Sequence, residues 1–237
     1  MREKLIALSL LKKGNWEEMA EFIKKDPELN RLDYETSLAL TNQLECLVLT
    51  LFDDDYPNVW RDMPQPPFVV YLIGDISLLN DDFIAVIGGK SVPPFAKSVI
   101  NKLIYDKTED LKIATGSEMG IEEYVIATER FDIQFIGRGF DKTDVGDKLL
   151  ISEIPPEDVF DLSAFYRSYK LMCELSTAII IISLSAYDRR SHYLNYLADI
   201  GKEIYVVPEI KSRMSKGGLE LINKGAKIFF GIDEVGN

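Results

Sequence analysis

From residue 68 onward the apolar residues of this chain fall into short, nearly unbroken runs: FVVYLI (68–73), FIAVIG (83–88), LKIATG (111–116), IQFIG (133–137), KLLISE (148–153), AIIIIS (178–183), EIYVVP (203–208) and a last short KIFF (227–230). These runs are rich in Ile and Val and show little alternation, which is the pattern of strands buried on both faces. Helical spacing of apolar residues separates several of them, at about 93–105, 120–130, 164–175, 190–200 and 216–224. Strands alternating with helices predict an α/β fold, a doubly wound and mostly parallel sheet with helices on both sides. No internal repeat or low-complexity tract is visible.

The N-terminal fifty residues follow a different rhythm. Leu5, Ile6, Leu8, Leu10 and Leu11 crowd one short segment that Gly14 ends. Asn15 then offers an N-cap, with Glu18 three residues on in a capping-box pattern, and Trp16, Met19, Phe22 and Ile23 continue at helical spacing. A third apolar helix is expected over 37–51. The stretch FDDDYPNVWRDMPQPP (52–67) carries prolines and aspartates that predict no regular element, and its three consecutive aspartates suit a solvated turn. The expected organisation is a small N-terminal helical domain, residues 1–52, followed by the α/β core, residues 53–237, with 53–80 as a lead-in.

Composition narrows the function classes. The chain has 237 residues, 46% hydrophobic and 28% charged, as in an ordinary globular protein. Its net charge of −12 argues against broad electrostatic wrapping of nucleic acid, while leaving room for a local basic pocket. Cys46 and Cys173 stand in apolar surroundings without metal-like spacing and suit buried free thiols. The single histidine, His192, has no evident ligand partners. The start MREKLIALSLLKKGN lacks the features of a leader, and a run such as AIIII (178–182) is far too short to span a bilayer, so a cytoplasmic protein with no membrane contact is expected.

Ligands of a doubly wound sheet bind beyond the carboxyl ends of its strands. Glycines stand at several of those ends: Gly88, Gly89, Gly116, Gly120, Gly137 and Gly139. The stretch IGGKSVPPFAKS joins a strand, two glycines, Lys90 and a helix, which are the parts of a phosphate-binding turn. It is neither a P-loop nor a dinucleotide fingerprint, and a tight strand-to-helix turn is an equal reading. No catalytic constellation stands out, with no histidine to pair with a nucleophile and no nucleophile elbow. Glu118, Glu122 and Glu123 are expected to be acids of a helix N-terminus.

An ordered string of motifs resembles the DprA/Smf family, the DNA-processing proteins of bacterial natural transformation. The resemblance runs from about Asp54 to the C-terminus. DDDYPNVWRDMPQPPFVVYLIGD has the form of the family's lead-in, and IGGK (87–90) is similar to its Val-Gly-Ser-Arg turn. TGSEMGIE (115–122), GRGFD (137–141), Ser152-Glu153, FYRSYKLMCELSTAIIII (165–182), GKEIYVVP (201–208) and GGLELINKGAKIF follow in the family's order. The resemblance implies a Rossmann-like core behind a small helical domain. It also implies single-stranded DNA as partner, RecA loading, a homodimer formed through the C-terminal part of the core, no cofactor, and no enzymatic activity.

On that resemblance the nucleic-acid or phosphate contacts are expected from Gly88, Gly89, Lys90, Gly116, Gly120, Arg138, Lys142, Arg167 and Lys170, with Phe140, Tyr166 or Tyr169 available for stacking. The chain departs from the family pattern at several of these points. A lysine, Lys90, replaces the turn arginine, and Glu122 replaces an aspartate. Ser168, Tyr169 and Lys170 stand for Arg-Asn-Arg, and Asp188, Arg189 and Arg190 stand for a Ser-Gly-Ser turn. Two other readings stay open: a Rossmann-like protein that binds a small nucleotide, and a protein–protein module that has lost DNA.

Overall fold

The structure is a computed structural model, and it describes residues 1–116, 119–140, 146–185, 187–208 and 216–235. In chain order its elements are α1 (Arg2–Leu11), α2 (Trp16–Lys25), α3 (Tyr34–Thr41), β1 (Leu47–Thr50), α4 (Asn58–Arg61), β2 (Val69–Gly74), β3 (Phe83–Gly88), α5 (Pro94–Asp106), β4 (Lys112–Thr115), α6 (Ile121–Ala127), β5 (Ile133–Ile136), β6 (Leu149–Ser152), α7 (Leu162–Leu175), β7 (Ala178–Ile182), α8 (Ser191–Asp199), β8 (Glu203–Val206), α9 (Lys216–Asn223) and β9 (Lys227–Ile228). The chain divides into two compact units, Met1–Ile76 with Phe135–Leu175, and Ser77–Gln134 with Ser176–Asn237.

The first unit is built on antiparallel pairing. β2 pairs with β1 on one side, Val48 opposite Tyr71, and with β6 on the other, Leu72 opposite Ile151. Helix α1 lays Leu5, Ile6 and Leu8 against Val48, Val69 and Tyr71 in one apolar cluster that also takes in Met19 and Leu29. The Tyr71 hydroxyl, wholly buried, donates to Ser9 Oγ at 2.9 Å, so the polar end of that ring is satisfied inside the core. The expected cap forms: Asn15 accepts from the Glu18 N–H at 3.0 Å and starts α2. Glu18 does not complete the box, because its carboxylate takes the Lys12 ammonium at 3.1 Å instead.

Two expectations need correcting in this unit. The segment expected as one helix over 37–51 is a short helix, α3, followed by the strand β1. Four apolar or β-branched residues carry no period of their own, and pairing with β2 decides their state. Asp53 then closes the strand by accepting from the Thr50 N–H at 2.7 Å, while Arg2 Nε holds its other oxygen at 2.8 Å. The proline- and aspartate-rich stretch also holds one helical turn, α4, whose Trp60 is wholly buried.

The second unit carries the Rossmann-like order. Its strands run β5–β4–β3–β7–β8–β9 with every pair parallel, β5 entering through Ile133 and Gln134. Ile84, Val86, Ile180 and Ile182 face α5 and α6, where Ala96, Ile100, Ile121 and Val125 complete one core cluster. The alternate residues Ala85, Ile87, Ile179 and Ile181 are as fully buried on the opposite face. There Val206 meets α9, where Gly218 leaves no room for a side chain. Both faces are covered, which is why these strands show no alternation in the sequence. The chain leaves β3 toward β4 and β5, then returns to β7 on the other side of β3. That reversal makes the carboxyl ends of β3 and β7 the switch point of the sheet, the place where such folds bind ligands.

Trp60 is expected to be a keystone of the first unit. Its Nε1 donates to the Leu171 carbonyl at 2.9 Å, and its ring meets Tyr56 and Phe135 edge to face at 5.9 and 6.4 Å. Trp60→Ala should lower unfolding stability by about 3–5 kcal/mol, read from urea denaturation, and Trp60→Phe by clearly less. Equal losses for the two substitutions would show that volume at this site is unimportant.

Candidate functional site

At the end of β3 the chain makes its turn through close backbone packing. A Cβ on Gly89 would lie 2.2 Å from the Ser183 carbonyl oxygen, just past the end of β7. Gly120, the residue before α6, has φ of +66°, and a Cβ there would lie 2.3 Å from the Gly89 carbonyl oxygen and 2.5 Å from Lys90 Cα. Glycine is required at both points by contact, and at Gly120 by backbone conformation as well. The turn is then pinned: the Gly89 N–H donates to the Ile182 carbonyl at 3.0 Å, and the Ile121 N–H to the Gly89 carbonyl at 3.1 Å.

A buried charge cluster fills the inside of this turn. The Glu122 carboxylate, 3% exposed, accepts from the Gly88 N–H at 3.1 Å and from Arg190 Nη1 at 2.7 Å. Arg190 Nη2 donates to the Gly88 carbonyl at 2.5 Å. The same guanidinium grips Asp188 with Nε at 2.9 Å and Nη2 at 2.7 Å, and the Arg190 N–H adds a third bond to that carboxylate. Burial works to raise the Asp188 pKa, but the hydrogen bonds and charge of Arg190 outweigh it and hold the carboxyl below its usual 3.8. Lys90 adds to the lowering. Arg190 thus ties the end of β3, the start of α6 and the entry to α8 into one piece.

Around this clamp stand groups with no such engagement. Lys90 is exposed, Arg189 is exposed, and neither makes an ion pair among the described residues. Tyr187 is 95% exposed. Arg189 and Tyr187 lie on the loop that Arg190 and Asp188 anchor.

Gly88, Gly89, Lys90, Gly116 and Gly120 lie in the second unit, and all but Gly116 meet at the turn just described. The Gly116 carbonyl accepts from Gln134 Nε2 at 3.4 Å. Arg138, Arg167 and Lys170 lie in the first unit, and Lys142 falls outside the described residues. Arg138 is half-buried and donates to the Gly139 carbonyl at 3.2 Å, and Lys170 is half-buried and engaged. Arg167 is not a free cation. Its fork grips Glu153 through Nε at 2.9 Å and Nη2 at 2.7 Å, the pair is 8% and 5% exposed, and the guanidinium lies 5.3 Å from the Trp16 ring. Burial pushes the Glu153 carboxyl up from its usual range, and the Arg167 charge and hydrogen bonds pull against that rise. Phe140 and Tyr169, at 3% exposure each, cannot stack on a ligand without leaving the core. Glu122 lies in the first turn of α6, as expected of a helix-end acid, and its carboxylate also turns back onto β3. Sequence reasoning marked Asp188, Arg189 and Arg190 only as a departure; three charges on a turn after a buried strand were the available sign that they act there.

Residues 47–237 match the family model of DNA recombination-mediator protein A. The chain belongs to that family. Its fold is shared with DNA processing protein A from Streptococcus pneumoniae, at a TM-score of 0.76 and 20% identity over 92% of this chain and 81% of the other. It is shared also with DNA processing protein A from Helicobacter pylori, at 0.68 and 20% identity over 81% of this chain and 94% of that one. The work on the latter concerns its single-stranded DNA binding mode. No curated protein matches the chain. Among the described residues no helix is long and apolar enough to cross a membrane. The family's Ser-Glu match has a local cause here: Ser152 Oγ donates to the Arg138 carbonyl at 2.7 Å and accepts from the Ile154 N–H, while Glu153 takes Arg167.

Arg167→Ala should cost about 3–5 kcal/mol of stability in urea, because it leaves the buried Glu153 without its guanidinium partner. The double substitution Arg167→Met with Glu153→Leu should recover most of that loss; no recovery would mean that the pair is held for more than charge balance. Asp188 sets an acid dependence. Its folded pKa lies below the unfolded value near 3.8, so its contribution is complete well above that value and lost as pH falls through the folded one. Asp188→Asn should therefore flatten the acid limb of a stability–pH curve below about pH 5, and an unchanged limb would show that the clamp does not depend on that charge.

Proposed function

We propose that the chain binds single-stranded DNA at the carboxyl ends of β3 and β7, with Lys90 and Arg189 on backbone phosphates and Tyr187 as a platform for a base. The observation that carries this reading is the pair of exposed cations that make no ion pair among the described residues, beside a turn made rigid by Arg190. Single strands are held by that combination of phosphate contacts and stacking. Family membership and the DNA-binding relative support the same reading. Arg138 and Lys170, in the first unit, are separate candidates for phosphate contact. In this reading the protein is not an enzyme; it takes part in DNA processing during natural transformation, protects incoming strands in the cytoplasm and loads RecA. It also dimerises through the C-terminal part of the core, where Leu219 and Phe230 are 56% and 71% exposed. A small nucleotide is the weaker alternative, because the Glu122 carboxylate already occupies the Gly88 N–H that its phosphate would need.

Fluorescence anisotropy with labelled oligo-dT tests it. Each phosphate contact on a single strand contributes roughly 0.7 to the slope of log K against log salt, so Lys90→Ala with Arg189→Ala should flatten the slope by about 1 to 1.5. Tyr187→Ala should cost about 1–3 kcal/mol with the slope unchanged. Full affinity and slope in the double variant would overturn the assignment.

A further inference from the structure

A turn at the switch point of a doubly wound sheet offers its strand-end N–H to an anion. In this chain that N–H, on Gly88, is already bonded, at 3.1 Å, to the carboxylate of Glu122. The positive group that would complete an anion site is present too: Arg190 Nη1 lies 2.7 Å from the same carboxylate oxygen, Oε1. Donor, cation and anion therefore form a finished site whose ligand is a side chain of the protein. The carboxylate is 3% exposed and the guanidinium 10%, so water has little part in it.

We propose that Glu122 is a specificity-determining residue: it occupies the place of a terminal or small-molecule phosphate, so the turn accepts internal phosphodiesters of a strand and rejects 5′-phosphate ends, mononucleotides and pyrophosphate. This rests on the DNA-binding reading above and adds to it the class of phosphate recognised. The physical cause is twofold. A phosphate oxygen cannot reach the Gly88 N–H while Glu122 Oε1 is on it. A phosphate monoester, which carries more charge than a diester, also meets the field of a buried carboxylate at short range, where the low dielectric makes repulsion strong. An internal diester needs neither donor, since Lys90 and Arg189 are exposed outside the clamp. Asp188, on the other edge of Arg190, adds a second negative charge to the same interior.

Two variants separate the causes. Glu122→Ala removes this carboxylate from Gly88 and Arg190 and keeps Asp188 on the guanidinium; inorganic pyrophosphate at millimolar concentration should then raise its melting temperature by more than about 3 °C, and leave the wild-type protein unmoved. Glu122→Gln keeps the acceptor for Gly88 and removes only the charge; short oligo-dT with a 5′-phosphate, compared with the 5′-hydroxyl form, should gain at least threefold in relative affinity over wild type. The wild-type arm stands even where a variant does not fold: equal or weaker binding of the 5′-phosphate oligonucleotide and no competition by pyrophosphate support the proposal, while a preference for the phosphorylated end or competition by pyrophosphate overturns it. A folded Glu122→Ala that pyrophosphate does not stabilise overturns it as well. Pyrophosphate stabilisation of Glu122→Ala needs no DNA binding, so an absence of oligo-dT binding by the wild-type protein would sink the DNA reading alone.

Discussion

The contact on which the carboxyl end of β3 depends is the one between the Arg190 guanidinium and the β3 terminus. One planar group donates to the Gly88 carbonyl, to Glu122 and to Asp188. Each partner comes from a different part of the chain, and none of them is held at that point by apolar packing alone. A lysine could satisfy one acceptor at a time as a point charge, whereas the guanidinium reaches three in one plane with its charge delocalised. Two carboxylates around one guanidinium leave the interior of the turn net negative. The glycines make the approach of the three segments possible, and Arg190 sets the distance at which they stop.

The first unit solves a similar problem with Arg167 and Glu153. There the pair is buried, bidentate and stacked beside Trp16, and the Gln65 carbonyl lies 3.4 Å from Nη2. Such pairs add little net stability compared with apolar residues of equal volume, but losing one partner is costly. Their effect is on which arrangement is allowed. In a chain of net charge −12, arginines drawn into the interior by carboxylates are not available to an outside anion. The cations that remain outside count for more than their number suggests.

Most of the fold was legible in the sequence because burial on both faces produces runs that cannot be mistaken for amphipathic helices. FIAVIG and AIIII mark β3 and β7 to the residue or within one. β1 was not legible, since LVLT follows a leucine-rich helical stretch and only its partner β2 distinguishes strand from helix. At the site, the glycines and Lys90 could be read from local spacing. Arg167 could not: its partner Glu153 is 14 residues earlier, just past the end of β6, and nothing local says that the charge is already satisfied. The Glu122–Arg190 pair spans 68 residues and is invisible to any local pattern. Charged side chains reveal their position in a sequence but not their partner, and at this site the partner decides whether a cation is structure or surface.

An acidic protein that binds a polyanion must work locally. At physiological ionic strength the Debye length is about 8 Å, so charges spread over a surface are screened from a phosphate further away than that. In the proposed site Lys90 and Arg189 are the cations that would meet a phosphate within this distance. Few phosphate contacts mean modest affinity, and in the proposed site the exposed Tyr187 would carry a share of the binding that salt does not weaken. A rigid turn helps for the same reason: when only two cations engage, any freedom they lose on binding is a larger fraction of what they return. In the proposed site the buried clamp, which would touch no ligand itself, is therefore the part that would let so small a number of exposed charges suffice.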